Sequence, residues 1–353
     1  MSIDLRQTLP LPKTSLPVVI FGAGSIVKDA HLPAYRRLGF SVAGIYDPDQ
    51  AKAAALAAEH GTTALAGMAE ATAHGTGAVY DIAVPPEVIP EILAALPEGA
   101  TVIIQKPMGS DLAAADAILR VVRARRLKAA VNFQLRFAPA FLSLKDAIAR
   151  GMLGDVVDVD GLLAVDTPWH LFAFLAKLPR VEILLHSIHY LDAIRDILGN
   201  PSGVHARTMG HPSSTVSNTR SSLMLDYGPQ VRCNLSINHN HSFGRKFQAC
   251  EFRICGTNGA AYLKLGVNLD YPRGEPDELW LNTGAGWEQV PLSGNWFIEA
   301  FLGRFTQVMR FATGEDATLQ GSAEDAWHTM ALVEAAYESA AKPAHPIRSV
   351  PDA

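Results

Sequence analysis

The chain has 353 residues, 48% of them apolar and 18% charged, and its formal net charge is −5. This composition provides a core large enough for two domains and excludes a disordered chain, and the absence of a Lys/Arg-rich run argues against a nucleic-acid partner. The three cysteines are too few for a disulfide framework, and the first residues lack the apolar core of a signal peptide. We therefore expect a cytoplasmic globular protein without a membrane partner.

The first third of the chain alternates short apolar runs with Ala-rich amphipathic stretches. Such alternation is typical of βαβ units, so we predict an α/β domain with a parallel sheet over residues 1–135. The predicted strands cover 17–21, 40–46, 78–84, 100–104 and 128–131. The predicted helices run from the glycine turn after the first strand to residue 38, and then over 49–60, 90–96 and 112–126.

The pattern changes after residue 135, where strand-like runs with polar alternation replace the βαβ order. We expect residues 136–353 to form an α+β domain on a large open antiparallel sheet, with the last helix able to pack back on the first domain. The predicted strands cover 156–165, 221–227, 231–237, 251–255 and 260–265, and the predicted helices 181–198 and 322–340.

A glycine-rich turn follows the first predicted strand, in the order Gly22-Ala-Gly24-Ser25-Ile26-Val27. The first glycine permits a tight turn, and the second lets the backbone approach a pyrophosphate at the N-terminus of the next helix, where Ser25 and Ile26 lie. Val27 stands where the full fingerprint has a third glycine or alanine. The turn is therefore a candidate dinucleotide site whose motif is incomplete.

An acidic residue ends the second predicted strand. Asp47 lies 23 residues after Gly24, where a carboxylate can accept hydrogen bonds from both hydroxyls of an adenine ribose. Its charge would repel a 2′-phosphate, so NAD is favoured over NADP. Two alternatives stay open: Asp47 could cap the following helix, and Arg36 or Lys52 could bind a 2′-phosphate.

Four stretches together resemble the glucose–fructose oxidoreductase / inositol dehydrogenase (Gfo/Idh/MocA) family. They are the glycine turn through residue 34, Ile82-Ala-Val-Pro85-Pro, Gln105-Lys106-Pro, and His186-Ser-Ile-His189-Tyr-Leu-Asp192. The resemblance implies a Rossmann domain, a second domain whose open sheet makes homodimer or homotetramer contacts, and oxidation of a sugar, polyol or cyclitol. It also implies that Pro85 and Gln105 lie beside the cofactor, that Lys106 binds the reacting hydroxyl, and that His189 is the general acid/base.

The sequence departs from the family pattern at three positions in or near these stretches. Gln105 replaces the usual Glu, Leu185 stands where the family often has an Asp, and Ile89 stands where it often has a His. These changes affect the expected proton relay, and hence the substrate, more than the fold.

The residue types also point to this chemistry without the resemblance. A histidine titrates near neutral pH and suits proton transfer, and an ammonium group stabilises a developing alkoxide. Glu182, His186 and His189 have i, i+4, i+7 spacing and would share one helix face, with Glu182 orienting His186 and His186 relaying protons to His189. One of the two histidines could instead be a packed core residue.

Further polar and aromatic residues are candidate substrate ligands. His239 and His241 would point to the same face of a strand, Trp169 and His170 lie in a loop before the histidine helix, and Arg136 lies where the first domain ends. Trp169 could equally be ordinary packing. We also expect Asp192 at the substrate, with pairing to Arg195 as its alternative.

A four-histidine metal site, formed by His186, His189, His239 and His241, is a less favoured interpretation because no compact ligand motif is present. The sequence thus predicts an NAD-dependent dehydrogenase for a small carbohydrate or polyol. The alternatives are a glycoside-cleaving enzyme that uses bound NAD in a closed redox cycle, a non-catalytic NAD-binding regulator and a metal-dependent hydrolase.

Overall fold

The computed structural model describes residues 4–270 and 273–348, and all of their side chains except those of 172–174. Within these residues, the first half of the chain forms a five-stranded sheet in which every pair of strands is parallel. Its strands are β1 (Val18–Phe21), β2 (Val42–Tyr46), β3 (Val79–Ile82), β4 (Thr101–Ile104) and β5 (Lys128–Val131). The spatial order is β2-β1-β3-β4-β5, which confirms the predicted parallel α/β domain.

Helices cover both faces of this sheet, so β1, β3 and β4 are buried along their whole length. Continuous apolar strands are what such a two-sided environment requires. A π-helical segment (Val27–His31) leads into the first helix. The helices are α1 (Leu32–Leu38), α2 (Gln50–His60), α3 (Met68–Ala71), α4 (Ile89–Ala95) and α5 (Leu112–Ala124).

The second sheet has eight strands within the described residues, in the order β13-β12-β11-β10-β6-β9-β8-β7. The strands are β6 (Val156–Ala164), β7 (Gly203–Met209), β8 (Arg220–Asp226), β9 (Arg232–Asn238), β10 (Ala249–Gly256), β11 (Ala260–Lys264), β12 (Glu278–Asn282) and β13 (Trp287–Val290). The large open sheet is confirmed, but it is mixed, because β6 and β9 pair in parallel. The chain between these two strands includes a helix and a hairpin, and only such a long crossover permits a parallel pair.

Residues of this sheet alternate between an apolar inner face and a more polar outer face, as in β8. The inner face belongs to one large core that also includes residues of the first sheet. The helices of this half are α6 (Pro139–Ala149), α7 (Ile188–Leu198), α8 (Glu299–Ala312) and α9 (Ala323–Ala341). Among all the helices described, none combines the length and apolarity needed to cross a membrane.

The last two helices return to the first sheet. Trp327 of α9 donates a hydrogen bond to Asp116 of α5 over 2.7 Å, and Phe305 of α8 stacks on Tyr35 of α1 with ring centroids 4.3 Å apart. The chain after residue 135 therefore contributes packing to the helices around the first sheet. The division into residues 1–135 and 136–353 stays a prediction.

Candidate active site

The glycine turn lies between β1 and the first helix, as predicted. Gly22 has a φ of +106°, and a Cβ at this position would lie 2.3 Å from the carbonyl oxygen of Ala83, so only glycine fits. A Cβ on Gly24 would meet nothing within 4 Å, which leaves open space over the turn. The helix starts at Ser25, and the first backbone N–H groups of a helix lack intrahelical partners. This combination fits a pyrophosphate, with Gly24, Ser25 and Ile26 as its backbone donors.

Asp47 follows β2 and is tied to the glycine turn. Its Oδ2 accepts a hydrogen bond from the N–H of Ala23 over 2.8 Å, and its Oδ1 accepts one from the N–H of Asp49 over 2.9 Å. The residue that caps α2 is Asp49, whose carboxylate accepts from the N–H of Lys52. The capping alternative therefore does not apply to Asp47, whose carboxylate lies beside the turn where an adenine ribose would bind.

The carboxyl ends of β3 and β4 form the neighbouring edge of the site. Pro85 follows β3, and the N–H of Gln105, just after β4, donates to the carbonyl oxygen of Ile82 over 2.9 Å. The side-chain oxygen of Gln105 accepts from the N–H of Lys106 over 3.2 Å. In open parallel sheets this edge is where ligands bind.

Lys106 extends from this edge to the segment that precedes α7. Its Nζ donates a hydrogen bond to the main-chain carbonyl oxygen of Leu185 over 3.0 Å. Burial lowers the pKa of Lys106 to about 8, since a neutral carbonyl compensates little of the desolvation of an ammonium. Lys106 is therefore mostly charged at neutral pH and loses its proton under mildly alkaline conditions.

His189 lies in the first turn of α7 and is buried against the indole of Trp296, with ring centroids 5.4 Å apart. Its Nδ1 has no hydrogen-bond partner among the described residues. Burial lowers the pKa of His189 well below 6.5, and the charge of Lys106 lowers it further. The imidazole is therefore neutral at pH 7 and can accept a proton.

The predicted helix over 181–198 is confirmed only from residue 188 onwards, because Glu182–Ser187 is a π-helical segment. The wider turn brings Ser187, five residues on, next to Glu182, and the Ser187 hydroxyl donates to Oε1 of that carboxylate. Glu182 therefore does not orient His186 as the i, i+4 spacing predicted. Its Oε1 instead lies 3.7 Å from Nε2 of His239.

His186, His239 and Trp169 form an aromatic cluster. The centroids of the two imidazoles are 4.6 Å apart, and the indole of Trp169 lies 5.6 Å from His186 and 5.5 Å from His239. Burial lowers the pKa of His186 well below 6.5, with smaller effects from His239 and Lys106. The structure thus brings together His186, predicted as a proton relay, with Trp169 and His239, predicted as substrate ligands.

Two other predicted ligands lie apart from this cluster. His170 is exposed although its neighbour Trp169 is partly buried. His241 contacts the carbonyl oxygen of Lys246 through Nε2 at 3.3 Å, and its ring packs at the edge of Phe243. The reason is that β9 ends before these positions, so the strand alternation that predicted a shared face does not continue. No four-histidine set forms in the described part of the chain.

Arg136 and Asp192 bind each other in the interior rather than facing a ligand. The guanidinium donates to both carboxylate oxygens, over 2.5 and 2.6 Å, and its Nη1 also contacts Asp196 and Asp325. Arg195, the alternative partner, has its Nη1 3.9 Å from Asp192. Since Arg136 and Asp192 satisfy each other in the core, we withdraw both from the set of substrate ligands.

Sequence reasoning missed three parts of this site. The carbonyl of Leu185 is a backbone group and has no sequence signal. Thr167, which hydrogen-bonds Nδ1 of His239 over 2.8 Å, could be recognised only once its distant partner was known. Trp296 comes from a loop more than a hundred residues after His189, and no local pattern connects the two.

A parallel sheet with a glycine turn, followed by a large open mixed sheet, defines the class of two-domain NAD-binding oxidoreductases. The chain belongs to the Gfo/Idh/MocA family. Residues 16–133 match the family model for the NAD-binding Rossmann fold of this oxidoreductase family, and residues 141–262 match the model of the GFO/IDH/MocA C-terminal domain.

Individual relatives are distant. The chain is 25% identical to a 1,5-anhydro-D-fructose reductase of Ensifer adhaerens over 84% of this chain and 90% of the relative. It is 26% identical to a D-apiose dehydrogenase of Rhizobium rhizogenes over 68% and 70% of the two chains. A crystal structure of an oxidoreductase from Agrobacterium radiobacter, in complex with NAD+, L-tartaric acid and magnesium, superimposes with a TM-score of 0.77 at 22% identity, covering 93% of this chain and 97% of that chain.

Proposed function

We propose that the protein is an NAD-dependent dehydrogenase that oxidises one hydroxyl group of a sugar, polyol or cyclitol. The observation that carries the proposal is the pairing of two titratable groups at one edge of the first sheet. Lys106 extends from that edge to the segment before α7, the helix that carries His189. Burial lowers the pKa of both groups, and the charge of Lys106 lowers that of His189 further. Pairs of groups with such perturbed pKa values are typical of catalytic sites.

In this mechanism the two side chains share the handling of one hydroxyl group. Lys106, charged at neutral pH, donates a hydrogen bond to the hydroxyl oxygen and stabilises the alkoxide that develops as the proton leaves. Neutral His189 accepts that proton, and Nδ1 is the atom available for it because it has no other partner. When bound, a nicotinamide would supply the acceptor for the hydride from the same carbon, so that the carbinol would become a carbonyl.

The aromatic cluster is proposed to bind the rest of the substrate. Trp169 offers an apolar surface on which a sugar ring can stack, and His186 and His239 offer polar atoms to its hydroxyls. Two relatives that are named for carbohydrates, a 1,5-anhydro-D-fructose reductase and a D-apiose dehydrogenase, support this substrate class. In this scheme His186, a member of the cluster whose charge acts on His189, is the proton-relay partner of His189.

NAD is proposed as the cofactor because of Asp47. A carboxylate beside the glycine turn favours the two free hydroxyls of NAD and repels the 2′-phosphate of NADP. The two nearby cations that could offset this repulsion have other partners. Arg36 contacts His60 over 3.1 Å, and Lys52 pairs with Asp49 over 3.3 Å.

The proposal is tested by NADH absorbance during incubation with NAD and a panel of aldoses, ketoses, polyols and cyclitols, repeated with NADP. Steady NADH production with one substrate group is the expected result. Binding of NAD without release of NADH from any substrate would overturn the proposal and favour a closed redox cycle or a sensor.

A homo-oligomer is proposed from the outer face of the second sheet. Three apolar side chains on three different strands are exposed on that face. They are Leu162, Met224 and Trp287, which are between 37% and 51% exposed. They would become buried if the outer face of the sheet packed against a second copy of the chain. Analytical ultracentrifugation should show a dimer or tetramer, and Met224→Asp should shift it toward the monomer. A monomeric wild-type protein would contradict the proposal.

A further inference from the structure

The loop that carries Trp296, the residue packed against His189, is fixed by one carboxylate. This loop lies between β13 and α8, and the backbone N–H of Trp296 donates a hydrogen bond to Oδ2 of Asp277 over 2.5 Å. The N–H of Asp277 donates in return to the side-chain oxygen of Asn295, the preceding residue of the loop, over 2.8 Å. Asp277 and the loop are thus joined by two hydrogen bonds that run in opposite directions.

The other oxygen of the same carboxylate connects Asp277 to the second sheet. Oδ1 accepts a hydrogen bond from the N–H of Gly266, two residues after the end of β11, over 2.6 Å. The carbonyl oxygen of Gly266 accepts in turn from the N–H of Glu275 over 3.0 Å, and a Cβ at Gly266 would clash with the carbonyl oxygen of Glu275. Because Gly266 has little room to shift, a change at Asp277 should act on the loop.

The charge of Asp277 makes this two-sided contact possible. The side chain is buried, and burial raises the pKa of Asp277 to about 6. The two N–H groups lower the pKa, Glu299 raises it further, and Lys264 lowers it. The carboxyl group is therefore mostly ionised at neutral pH and accepts on both oxygens, whereas an amide in its place would have only one acceptor.

The loop reaches the candidate base through the indole of Trp296. The ring centroid of this indole lies 5.4 Å from that of His189 and 6.1 Å from that of Tyr190, both on α7. The buried indole covers one side of the imidazole and so contributes to the burial that lowers the pKa of His189. The charges of Lys106 and His186 lower that pKa further. A displaced indole would let water reach the imidazole and would remove a contact that orients it.

We infer that Asp277 is a positioning residue for His189, because it fixes the loop whose Trp296 packs against the imidazole. The inference rests on the proposed function and deepens it, since it adds a carboxylate from the start of β12 to the groups that prepare the candidate base. The hydrogen bond of Asp277 to Trp296 is to the backbone, so the effect on His189 passes through the placement of the indole.

The first test measures the pKa of His189 by NMR titration of its imidazole resonances, which are assigned by their loss in His189→Gln. This measurement needs neither a substrate nor turnover. Trp296→Ala should raise the pKa from well below 6.5 toward 6.5, because water reaches the imidazole. Asp277→Asn should raise it in the same direction by a smaller amount, since an amide leaves one of the two N–H groups without an acceptor.

The double variant distinguishes positioning from a general loss of stability. If Asp277 acts through Trp296, Asp277→Asn adds nothing in the Trp296→Ala background, and the double variant has the His189 pKa of Trp296→Ala alone. A further shift in the double variant, or an unchanged His189 pKa in folded Asp277→Asn, would overturn the inference. Asn295→Ala removes the other hydrogen bond to the loop and should give a shift of the same sign, so it replaces Asp277→Asn if that variant does not fold.

The matched control is Asp226→Asn at the end of β8. Asp226 also accepts a hydrogen bond from a backbone N–H, that of Gly228 over 2.9 Å, but its side chain is exposed. This variant should keep the His189 pKa of the wild type. A shift as large as that of Asp277→Asn would show that loss of any such carboxylate suffices, and the inference would fail.

Kinetic measurements separate the inference from the proposed function. In an active enzyme, Asp277→Asn should lower kcat by about tenfold, because rate falls steeply when a reacting group is misplaced. The acid limb of its kcat/KM profile should shift to higher pH, because His189 takes up a proton more readily. An unchanged acid limb would overturn the inference while the proposed function stands. If no substrate yields NADH but the His189 pKa shifts as described, the proposed function fails and the positioning of the imidazole by Asp277 stands.

Discussion

Lys106, two residues after β4, donates a hydrogen bond to the carbonyl oxygen of Leu185 in the π-helical segment before α7, over 3.0 Å. This contact connects the edge of the first sheet to the helix that presents His189. It also gives the buried ammonium a neutral partner. The depressed pKa of Lys106 follows from that choice, because burial is not offset by an opposite charge.

The first prediction concerns pH. Since Lys106 loses its proton near a pKa of about 8, kcat/KM for oxidation should fall as the pH rises through 8. His189 has a pKa well below 6.5, so its base form persists down to mildly acidic pH, and the profile should be flat between these limits. Lys106→Arg keeps its charge at high pH. In a kcat/KM profile measured from acid to alkaline pH, its decline should therefore shift to a higher pH.

Lys145→Arg is the control for this prediction, because Lys145 of α6 is also largely buried but pairs with Asp196 of α7. It should show the alkaline decline of the wild type. If Lys106→Arg showed the same alkaline decline as the wild type, the decline would have to come from the titration of another group.

The second prediction concerns the proposed base. His189→Ala should reduce kcat by roughly a hundredfold or more, because proton transfer by a positioned side chain contributes at least that factor. NAD affinity, measured by fluorescence or calorimetry, should stay nearly unchanged, since the proposed pyrophosphate donors lie on the glycine turn. His205→Ala, at an exposed histidine of β7, should leave both quantities as they are. Retained turnover in His189→Ala would remove His189 from the mechanism.

The third prediction concerns cofactor choice. Asp47→Asn keeps a side-chain oxygen for the N–H of Ala23 but removes the charge, so the ratio of kcat/KM with NADP to that with NAD should rise about tenfold, which corresponds to about 1.4 kcal/mol. Asp49→Asn retains the cap of α2 and should not change the ratio. A wild type that already prefers NADP would contradict the role of Asp47.

Much of the fold could be predicted because strand and helix periodicity is local. The predicted strand at 128–131 coincides with β5, and the predicted helix at 322–340 differs from α9 by one residue at each end. β7 was missed because its alternation includes His205 and Arg207, polar groups that a strand at the sheet edge can expose. α8 follows a loop after β13 and carries Arg304 and Gln307 on its buried side, so its apolar face is interrupted.

Gly22, Asp47, Lys106 and His189 could be proposed for the candidate site from residue type and position along the chain alone, and their roles stay predictions. The contacts of the site were not predictable where the three-dimensional arrangement determines which residues meet. In the π-helical turn of Glu182–Ser187, the partner of Glu182 is Ser187, five positions on, and not His186, four positions on. Nothing in the residue types of that turn predicts a π-helix. Likewise, Arg136 and Asp192 form a buried ion pair with each other. Their charges and their spacing along the chain did not predict this pairing.

The last prediction tests whether the pair of Arg136 and Asp192 stabilises the fold or binds substrate. Asp192→Asn removes the charge from the bidentate partner of the buried Arg136 guanidinium, which keeps its contacts with Asp196 and Asp325. The change should cost about 1.5–3 kcal/mol, as for the loss of a hydrogen bond to a charged group. We therefore expect a lower free energy of unfolding in urea denaturation, with KM for the substrate nearly unchanged in the folded protein. Asp158→Asn, which breaks an exposed bidentate pair with Arg232, should hardly change stability, because water already screens that pair. A large rise in KM without loss of stability in Asp192→Asn would return Asp192 to the substrate site.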